Sequence, residues 1–209
     1  MPAPRSNGSD LRRTILDHTR HLLVEVGYNN LSMRKIARSV GCSATSIYLH
    51  FENKDALFHA LIDEGFERLN DAFHETAAAY TDPLARLDAL SRRYVHFGLD
   101  NPEYYEVMFL LHPERMARYP VEKYRRARQN LELFAEALEA GSAAGQFDID
   151  DASVSASVLW TSMHGTVALL LAQRLDVKIE RDAFVDTVVR HAIDGFRFER
   201  AGTSAGFDS

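Results

Sequence analysis

The segment from Ser43 to Lys54 carries side chains that suit contact with another molecule. Ile47 and Phe51 are spaced i, i+4 and are predicted to face inward from a helix. The other side chains are small, hydroxylated or aromatic, and mostly uncharged. Hydroxyls can meet base edges or phosphates in the major groove of DNA, and apolar groups can meet thymine methyls. The candidate contact residues are Ser43, Ala44, Thr45, Ser46, Tyr48, Leu49, His50 and Lys54.

Two short helices joined by a tight turn are predicted to position these residues. Ser32 stands where an N-cap belongs, before apolar residues that recur at helical spacing. Gly41 supplies a left-handed residue that ends this helix, and Ser43 can cap the next one at once. Asn53 then caps a third helix that begins at Lys54. This pattern is typical of a helix-turn-helix.

Residues 9 to 60 resemble the DNA-binding domain of tetracycline-repressor (TetR) family regulators. The resemblance implies that Tyr48 and Lys54 contact phosphates. It also implies that the helix holding Ala44, Thr45 and Ser46 reads bases with help from Arg34. The matching residues are Gly41-Cys42-Ser43, Ser46-Ile47-Tyr48, His50-Phe51 and Asn53-Lys54-Asp55-Ala56-Leu57.

Charge is divided unevenly along the chain. The net charge is -6, which alone would disfavour binding to DNA. Residues 1–60, however, hold 8 basic and 5 acidic residues, a net +3, so the remainder carries -9. A small DNA-reading head on an acidic body shows this asymmetry, because neutralising phosphates requires only local positive charge.

Composition limits the class of protein. A length of 209 residues with 46% hydrophobic content is ample for a buried core. The N-terminus has no apolar stretch typical of a secretory signal, and one cysteine cannot form an internal disulfide. No Cys/His cluster has zinc-ligand spacing. We therefore expect a cytoplasmic protein with no metal and no cofactor.

Beyond Lys54 every strong hydrophobic period is helical, which predicts an all-α fold of about nine helices. Helices are expected from Lys54 to about Tyr80, from Pro83 to about Asp100, from Val121 to about Ala140, and from Asp182 to about Phe198, with a short apolar segment after Pro102. Gly141 and Gly145 are expected to break the third of these. The predicted domains are a disordered arm (1–9), a helix-turn-helix domain (10–55), a ligand-binding and dimerisation domain (56–200) and a disordered tail (201–209).

The stretch from Ala152 to Gln173 contains no charged residue. Its length would allow a membrane-spanning helix, but its serines, threonines and His164 make it too polar, and it lacks an aromatic belt. An uncharged helix must be covered on several sides. We expect one face to pack on the core and another on a second subunit.

The TetR resemblance implies a homodimer formed by the last two helices. Trp160 followed by Met163-His164-Gly165 resembles the Trp/His/Gly (WHG-like) subgroup of C-terminal domains. The family also implies a repressor released from a pseudo-palindromic operator by an unknown small apolar or aromatic inducer.

Aromatic side chains in the body are candidates for the lining of an inducer pocket, although side chains at this spacing are often core. His164 could bind a ligand or satisfy a buried carbonyl. The candidates are Tyr94, Phe97, Tyr105, Met108, Phe109, Phe134, Trp160 and His164.

Enzymes form the competing class of function. The sequence has no glycine-rich phosphate loop after a strand, no nucleophile elbow and no His-Glu-x-x-His pair, so we expect no catalytic site. A helical protein that binds small molecules but not DNA is the alternative interpretation.

Overall fold

The computed structural model describes residues 8–110 and 120–197. Within these residues the regular structure is helical and the one β-bridge is isolated, so the all-α prediction is confirmed. A 3-10 turn covers Tyr28–Asn30 and a π-helix covers Glu106–Leu110. The α-helices are Gly8–Val26 (α1), Met33–Val40 (α2), Ala44–Tyr48 (α3), Lys54–Ala78 (α4), Pro83–Asp100 (α5), Pro102–Tyr105 (α6), Val121–Ala143 (α7), Ala152–Leu171 (α8) and Arg181–Asp194 (α9).

The helix ends between α2 and α4 follow from local hydrogen bonds. Ser32 accepts from the amide of Lys35 at 3.2 Å. Gly41 has φ 78°, the left-handed conformation that glycine adopts without steric cost. Asn53 Oδ1 accepts from the amide of Ala56 at 2.8 Å. All three end signals predicted from the sequence are confirmed.

Three other helix ends differ from prediction. α1 begins at Gly8, inside the arm predicted for residues 1–9. α7 continues through Gly141 to Ala143. α9 ends at Asp194, four residues before the predicted Phe198, because the chain beyond it leaves the helix to pair with residues 147 and 148. The rest of the predicted arm (1–7) and the predicted tail (201–209) lie outside the described residues.

The chain divides into two compact units. The first comprises residues 1–69 and 100–127, and the second comprises residues 70–99 and 128–209. α4, α5 and α7 each contribute residues to both units. Each unit is described separately below.

The first unit has a continuous apolar core under the helix-turn-helix. Ile36 of α2 and Ile47 of α3 are fully buried against α1 and α4. Four apolar residues of α4 belong to the same core. They are Leu57, Phe58, Leu61 and Ile62.

Tyr104 of α6 connects three elements of the first unit. Arg20 of α1 donates to its hydroxyl at 2.6 Å and also lies 4.8 Å from the ring centroid. Arg68 of α4 lies 5.0 Å from the same centroid. Burial is the main cause that raises the pKa of Tyr104 to about 12, and the charge of Glu64 adds to it. The phenol therefore remains neutral between two guanidinium groups.

The π-helix after α6 packs closely on α4 at Gly65. A Cβ at this glycine would lie 2.4 Å from Met108 Sδ. Gly65 was not among the residues predicted to have a role, although a glycine inside a predicted helix often has a packing reason. Because Gly65 has no side chain, Met108 can contact the backbone of α4.

The second unit contains a similar contact between α7 and the loop after it. A Cβ at Gly141 would lie 2.2 Å from Cδ2 of the fully buried Phe147 ring. The loop continues as Asp148, whose amide donates to the carbonyl of Phe196 at 2.8 Å. Gly141 therefore serves packing inside the helix and does not end it, contrary to the prediction.

α8 leaves much of its uncharged surface exposed. By length and composition it is the one described helix that could cross a membrane, and 33% of its apolar window is buried. Val158 is 53% exposed, and Val154 and Leu169 are also exposed. Gly165 lies on the exposed side, and a Cβ there would have no atom within 4 Å.

The contact at Gly141 can be tested with Gly141→Ala. The new methyl would collide with the Phe147 ring, so we expect the free energy of unfolding to fall by about 1–3 kcal/mol. Helix propensity alone would raise it by about 1 kcal/mol. Urea unfolding followed by circular dichroism measures the sign. Gly141→Ala should cost less in a Phe147→Leu background, and an equal cost in both backgrounds would contradict the contact.

Candidate nucleic-acid interface

α3 is a helix of only five residues, Ala44–Tyr48, that is held at both ends. Ser43 Oγ accepts from the amide of Ser46 at 3.0 Å, which caps the N-terminus. Ile47 is fully buried and Phe51 is 4% exposed. These two apolar anchors fix which side of α3 faces away from the core.

The outward side of α3 is uncharged and accessible. Tyr48 is 53% exposed and Leu49 is 81% exposed. Thr45 and Ser43 are also exposed, whereas the other predicted contact residues, Ala44, Ser46 and His50, are half-buried. The structure thus brings all seven predicted residues of this segment together on and next to one short helix.

Ser46 has a local role in addition to its predicted one. Its hydroxyl lies 2.8 Å from the hydroxyl of Ser43, so the two side chains share a hydrogen bond. A hydroxyl pair of this kind can still accept or donate one further bond. Ser43 and Ser46 therefore offer one joined polar surface at the start of α3.

Cationic side chains lie on the neighbouring helix α2. Arg34 and Arg38 are exposed, and their guanidinium groups have no hydrogen-bond or ion-pair partner among the described residues. Exposed guanidinium groups that are not engaged by other side chains suit bidentate contact with phosphates or guanine. Arg38 was not among the predicted contact residues, although its charge and its spacing from Arg34 are visible in the sequence.

Lys54 is less accessible than the resemblance implied. Its ammonium donates to the carbonyl of Tyr28 and lies 3.6 Å from the centroid of the Tyr28 ring. Burial lowers the pKa of Lys54, opposed in part by Asp55. The hydroxyl of Tyr28 donates to Asp55 Oδ1 at 2.8 Å, and burial raises its pKa. In this structure Lys54 holds the 3-10 turn against the start of α4.

Tyr28 was not among the predicted contact residues. Its only signal in the sequence is an aromatic residue directly after Gly27, whose φ of 72° turns the chain out of α1. Lys54 and Tyr28 are 26 positions apart in the chain, and a contact between residues so far apart leaves no periodic pattern in the sequence. The Lys54–Tyr28 pair could therefore be found only from the fold.

Five predicted pocket residues belong to the second unit. Tyr94 and His164 are joined by a hydrogen bond of 3.1 Å between the phenol and Nδ1. The rings of His164 and Trp160 lie 5.0 Å apart. Phe134 and Phe97 are buried. The structure thus brings Tyr94 and His164 together, and the half-buried imidazole of His164 lies between the phenol of Tyr94 and the indole of Trp160.

The other three predicted pocket residues belong to the first unit. Tyr105 and Phe109 have ring centroids 5.0 Å apart, and Tyr105 is fully buried. Met108 contacts Gly65. All three lie on α6 or the π-helix that follows it.

The described residues contain no group of three or more His, Cys, Asp or Glu side chains that could hold a metal ion. His164 is half-buried, and burial lowers its pKa, so its imidazole is neutral at pH 7.

Comparison with known proteins places these features in one family. Residues 15–61 match the family described as bacterial regulatory proteins of the tetR family, and residues 87–192 match a tetracyclin repressor-like C-terminal domain. An HTH-type transcriptional repressor from Mycobacterium tuberculosis is 43% identical over 58 residues, which are 28% of this chain and 31% of that protein. The chain thus spans about a third of the length of that curated relative.

Solved structures match over most of the chain. A protein of unknown function from Rhodococcus sp. RHA1 has a TM-score of 0.79 at 26% identity, covering 95% of this chain and 100% of its own. A TetR/AcrR-family regulator from Thermobifida fusca has a TM-score of 0.71 at 25% identity, covering 90% and 100%. With both its head and its C-terminal domain matched, this chain belongs to the TetR family of bacterial regulatory proteins.

Proposed function

We propose that this protein is a sequence-specific DNA-binding transcriptional repressor that a small molecule releases from its operator. The observation that carries the proposal is the exposed, uncharged and hydroxyl-bearing side of α3, anchored from behind by Ile47. Such a surface can approach base edges without the cost of desolvating a charge. In this proposal residues 10–55 form the DNA-binding domain and residues 56–200 form the ligand-binding and dimerisation domain.

Each predicted contact has a physical role in this proposal. Thr45 and Ser46 read base edges, and the phenol of Tyr48 donates to a phosphate. Arg34 reaches the duplex from α2, since its guanidinium is exposed. Lys54 supports the surface by holding Tyr28 and adds positive charge near the backbone of the duplex. The net +3 of residues 1–60 favours association with DNA.

The repressor acts as a homodimer through α8 and α9 in this proposal. The exposed side of α8 is uncharged and combines the apolar Val154, Val158 and Leu169 with small polar residues, and a second copy of the chain would cover it as a twofold contact. Gly165 supports this assignment. Gly65 and Gly141 are each explained by a side chain of the same protomer, whereas a Cβ at Gly165 would meet no atom within 4 Å. A glycine inside a helix weakens it, so close approach by another helix supplies the missing reason.

A twofold dimer would present two α3 helices to one face of the duplex. Such pairs read half-sites about 34–36 Å apart or a multiple of that spacing, which makes a pseudo-palindromic operator. For the inducer to release the protein from DNA, it must bind more tightly to a dimer conformation in which the spacing of the two DNA-binding domains does not match the operator. The Tyr94, His164 and Trp160 group of the second unit is the proposed ligand site.

The proposal also implies where the protein works and that it is not an enzyme. A regulator of this type works in the cytoplasm, where the bacterial chromosome is, and needs no catalytic residue. The first experiment is a fluorescence-anisotropy titration with the DNA upstream of its own gene beside a scrambled duplex, at several salt concentrations. Selective binding with a steep salt dependence supports the repressor. Absence of affinity at low salt would instead support the alternative, a helical protein that binds small molecules but not DNA.

Tyr48→Phe tests the assigned phosphate contact. It removes one hydroxyl and no charge, so affinity should fall about tenfold for every duplex while the salt dependence stays unchanged. Tyr80→Phe is the matched control, because Tyr80 is 42% exposed in the second unit. Anisotropy titrations of both variants on the selected and scrambled duplexes measure the difference. Equal affinities of the two variants would remove Tyr48 from the interface.

Arg34→Gln is the complementary test, because it removes a charge. We expect the slope of log affinity against log salt concentration to become shallower by about 1. The selected and scrambled duplexes should both show this change if Arg34 meets a phosphate. A loss confined to the selected duplex would place Arg34 on a base edge instead.

Val158→Glu tests the dimer surface. Val158 is 53% exposed, so the protomer should still fold, but a buried carboxylate would oppose the proposed contact. Light scattering after size exclusion should show a shift from twice the 23.6 kDa chain mass toward the chain mass. Val24→Glu is the control, since Val24 is 56% exposed on α1. If Val158→Glu leaves a dimer intact, the interface lies elsewhere.

A further inference from the structure

Two asparagine side chains meet between α4 and α7 of the second unit. Asn70 Nδ2 donates to Asn130 Oδ1 at 3.0 Å. Asn130 is 5% exposed, whereas Asn70 is only half-buried. A buried primary amide has two donor hydrogens and an acceptor oxygen to satisfy. The contact with Asn70 uses only the oxygen of Asn130.

The amide nitrogen of Asn130 is buried and has no hydrogen-bond partner among the described residues. Gln146 Oε1 of this unit is likewise buried without a partner in the described part of the chain, whereas the buried hydroxyls of Ser91 and Thr166 are satisfied locally. Ser91 donates to the carbonyl of Leu87 at 2.8 Å, and Thr166 donates to the carbonyl of Ser162 at 2.8 Å. A buried donor without an acceptor lowers stability, and an oxygen of a bound molecule would satisfy it.

Aromatic rings adjoin the asparagine pair. Phe73 lies one helical turn after Asn70 on α4, and Phe134 lies one turn after Asn130 on α7. Their ring centroids are 5.4 Å apart. Asn130 therefore stands at the end of an apolar, aromatic contact between the two helices.

These rings connect the asparagine pair to the proposed ligand site. Phe73 and Tyr94 have ring centroids 6.4 Å apart, and Tyr94 is hydrogen-bonded to His164. His164 and Trp160 are only partly buried. The series thus runs from a partly exposed end at Trp160 to a fully buried end at Asn130.

Charge is missing along this series. The buried polar residues described in the second unit are Ser91, Asn130, Ser155 and Thr166, all of them uncharged. His164 is neutral at pH 7, because burial lowers its pKa. An ionised ligand would lose its hydration here and gain no opposite charge.

We infer that Asn130 anchors the ligand, and that the ligand is an uncharged, largely apolar molecule with a carbonyl or hydroxyl oxygen. The oxygen accepts from Asn130 Nδ2, and the apolar part lies along Phe73, Phe134 and Tyr94. This inference rests on the proposed function, since it concerns the site assigned there to the inducer. It adds the buried anchor and the chemical class of the molecule.

Trp160 provides a direct assay, because it is the only tryptophan in the chain. Its fluorescence can be titrated with decan-2-one and with decanoate, which share an apolar chain and differ in charge. The full-length protein should bind decan-2-one at least about tenfold more tightly than decanoate. A preference for decanoate, or no binding of decan-2-one, overturns the inference.

Asn130→Leu tests the anchor itself. Leucine has a similar size and no amide, so decan-2-one should bind about tenfold more weakly. The unfolding temperature should change little, because the removal of an unsatisfied buried donor offsets the loss of the oxygen that accepts from the half-buried Asn70. Ser91→Ala is the control, since it also removes a buried polar group of this unit but one whose hydroxyl is already bonded within its own helix. Unchanged ketone binding in Asn130→Leu overturns the anchor and leaves a structural role.

Asn130→Asp is the second variant if Asn130→Leu does not fold. Aspartate keeps the oxygen that accepts from Asn70 and replaces the donor nitrogen with oxygen, so decan-2-one binding should again weaken. A fluorescence-anisotropy titration of the same protein preparations with the operator duplex separates the ligand assignment from the proposed repressor function. Operator binding without ketone preference refutes only the ligand assignment, and ketone preference without operator binding refutes only the repressor.

Discussion

The DNA-facing surface depends on a helix too short to exist alone. Isolated helices below about 12 residues are marginal in water, because nucleation costs more than a few hydrogen bonds return. α3 has five residues and is stable only because Ser43 caps it and Ile47 and Phe51 are buried beneath it. The conformation of the surface is therefore set by the core of the first unit. Any change in that core reaches the contact residues directly.

That core is fixed by polar contacts at its edges as well as by apolar packing inside. Tyr104 holds α1 and α4 together through two arginines, one by a hydrogen bond and both by their position over the ring. Lys54 holds the turn after α1 through the Tyr28 carbonyl. Both contacts engage cations that a count of basic residues would treat as free to bind phosphates. A count of basic residues thus overstates the charge that this head offers to DNA.

Features that depend on residues close together along the chain were predicted from the sequence, and features that depend on residues far apart along the chain were missed. Caps at Ser32 and Ser43 involve residues three positions apart, so their pattern is visible in the chain. Helical stripes likewise predicted the all-α fold and its buried positions. The continuation of α7 through Gly141 depends on Phe147, whose ring fills the space where a side chain would be. The pairing of Asn130 with Asn70 spans 60 positions and has no local sign.

The close approach of Met108 to Gly65 has a consequence for how this chain can change over evolution. The two positions share one small volume, since a Cβ at residue 65 would occupy the place of the methionine sulfur. Substitutions there cannot be accepted independently in a closely packed interior. In an alignment of near relatives, a larger residue at position 65 should accompany a shorter one at position 108. The pair would then appear as covarying columns, a record of a contact between α4 and the π-helix.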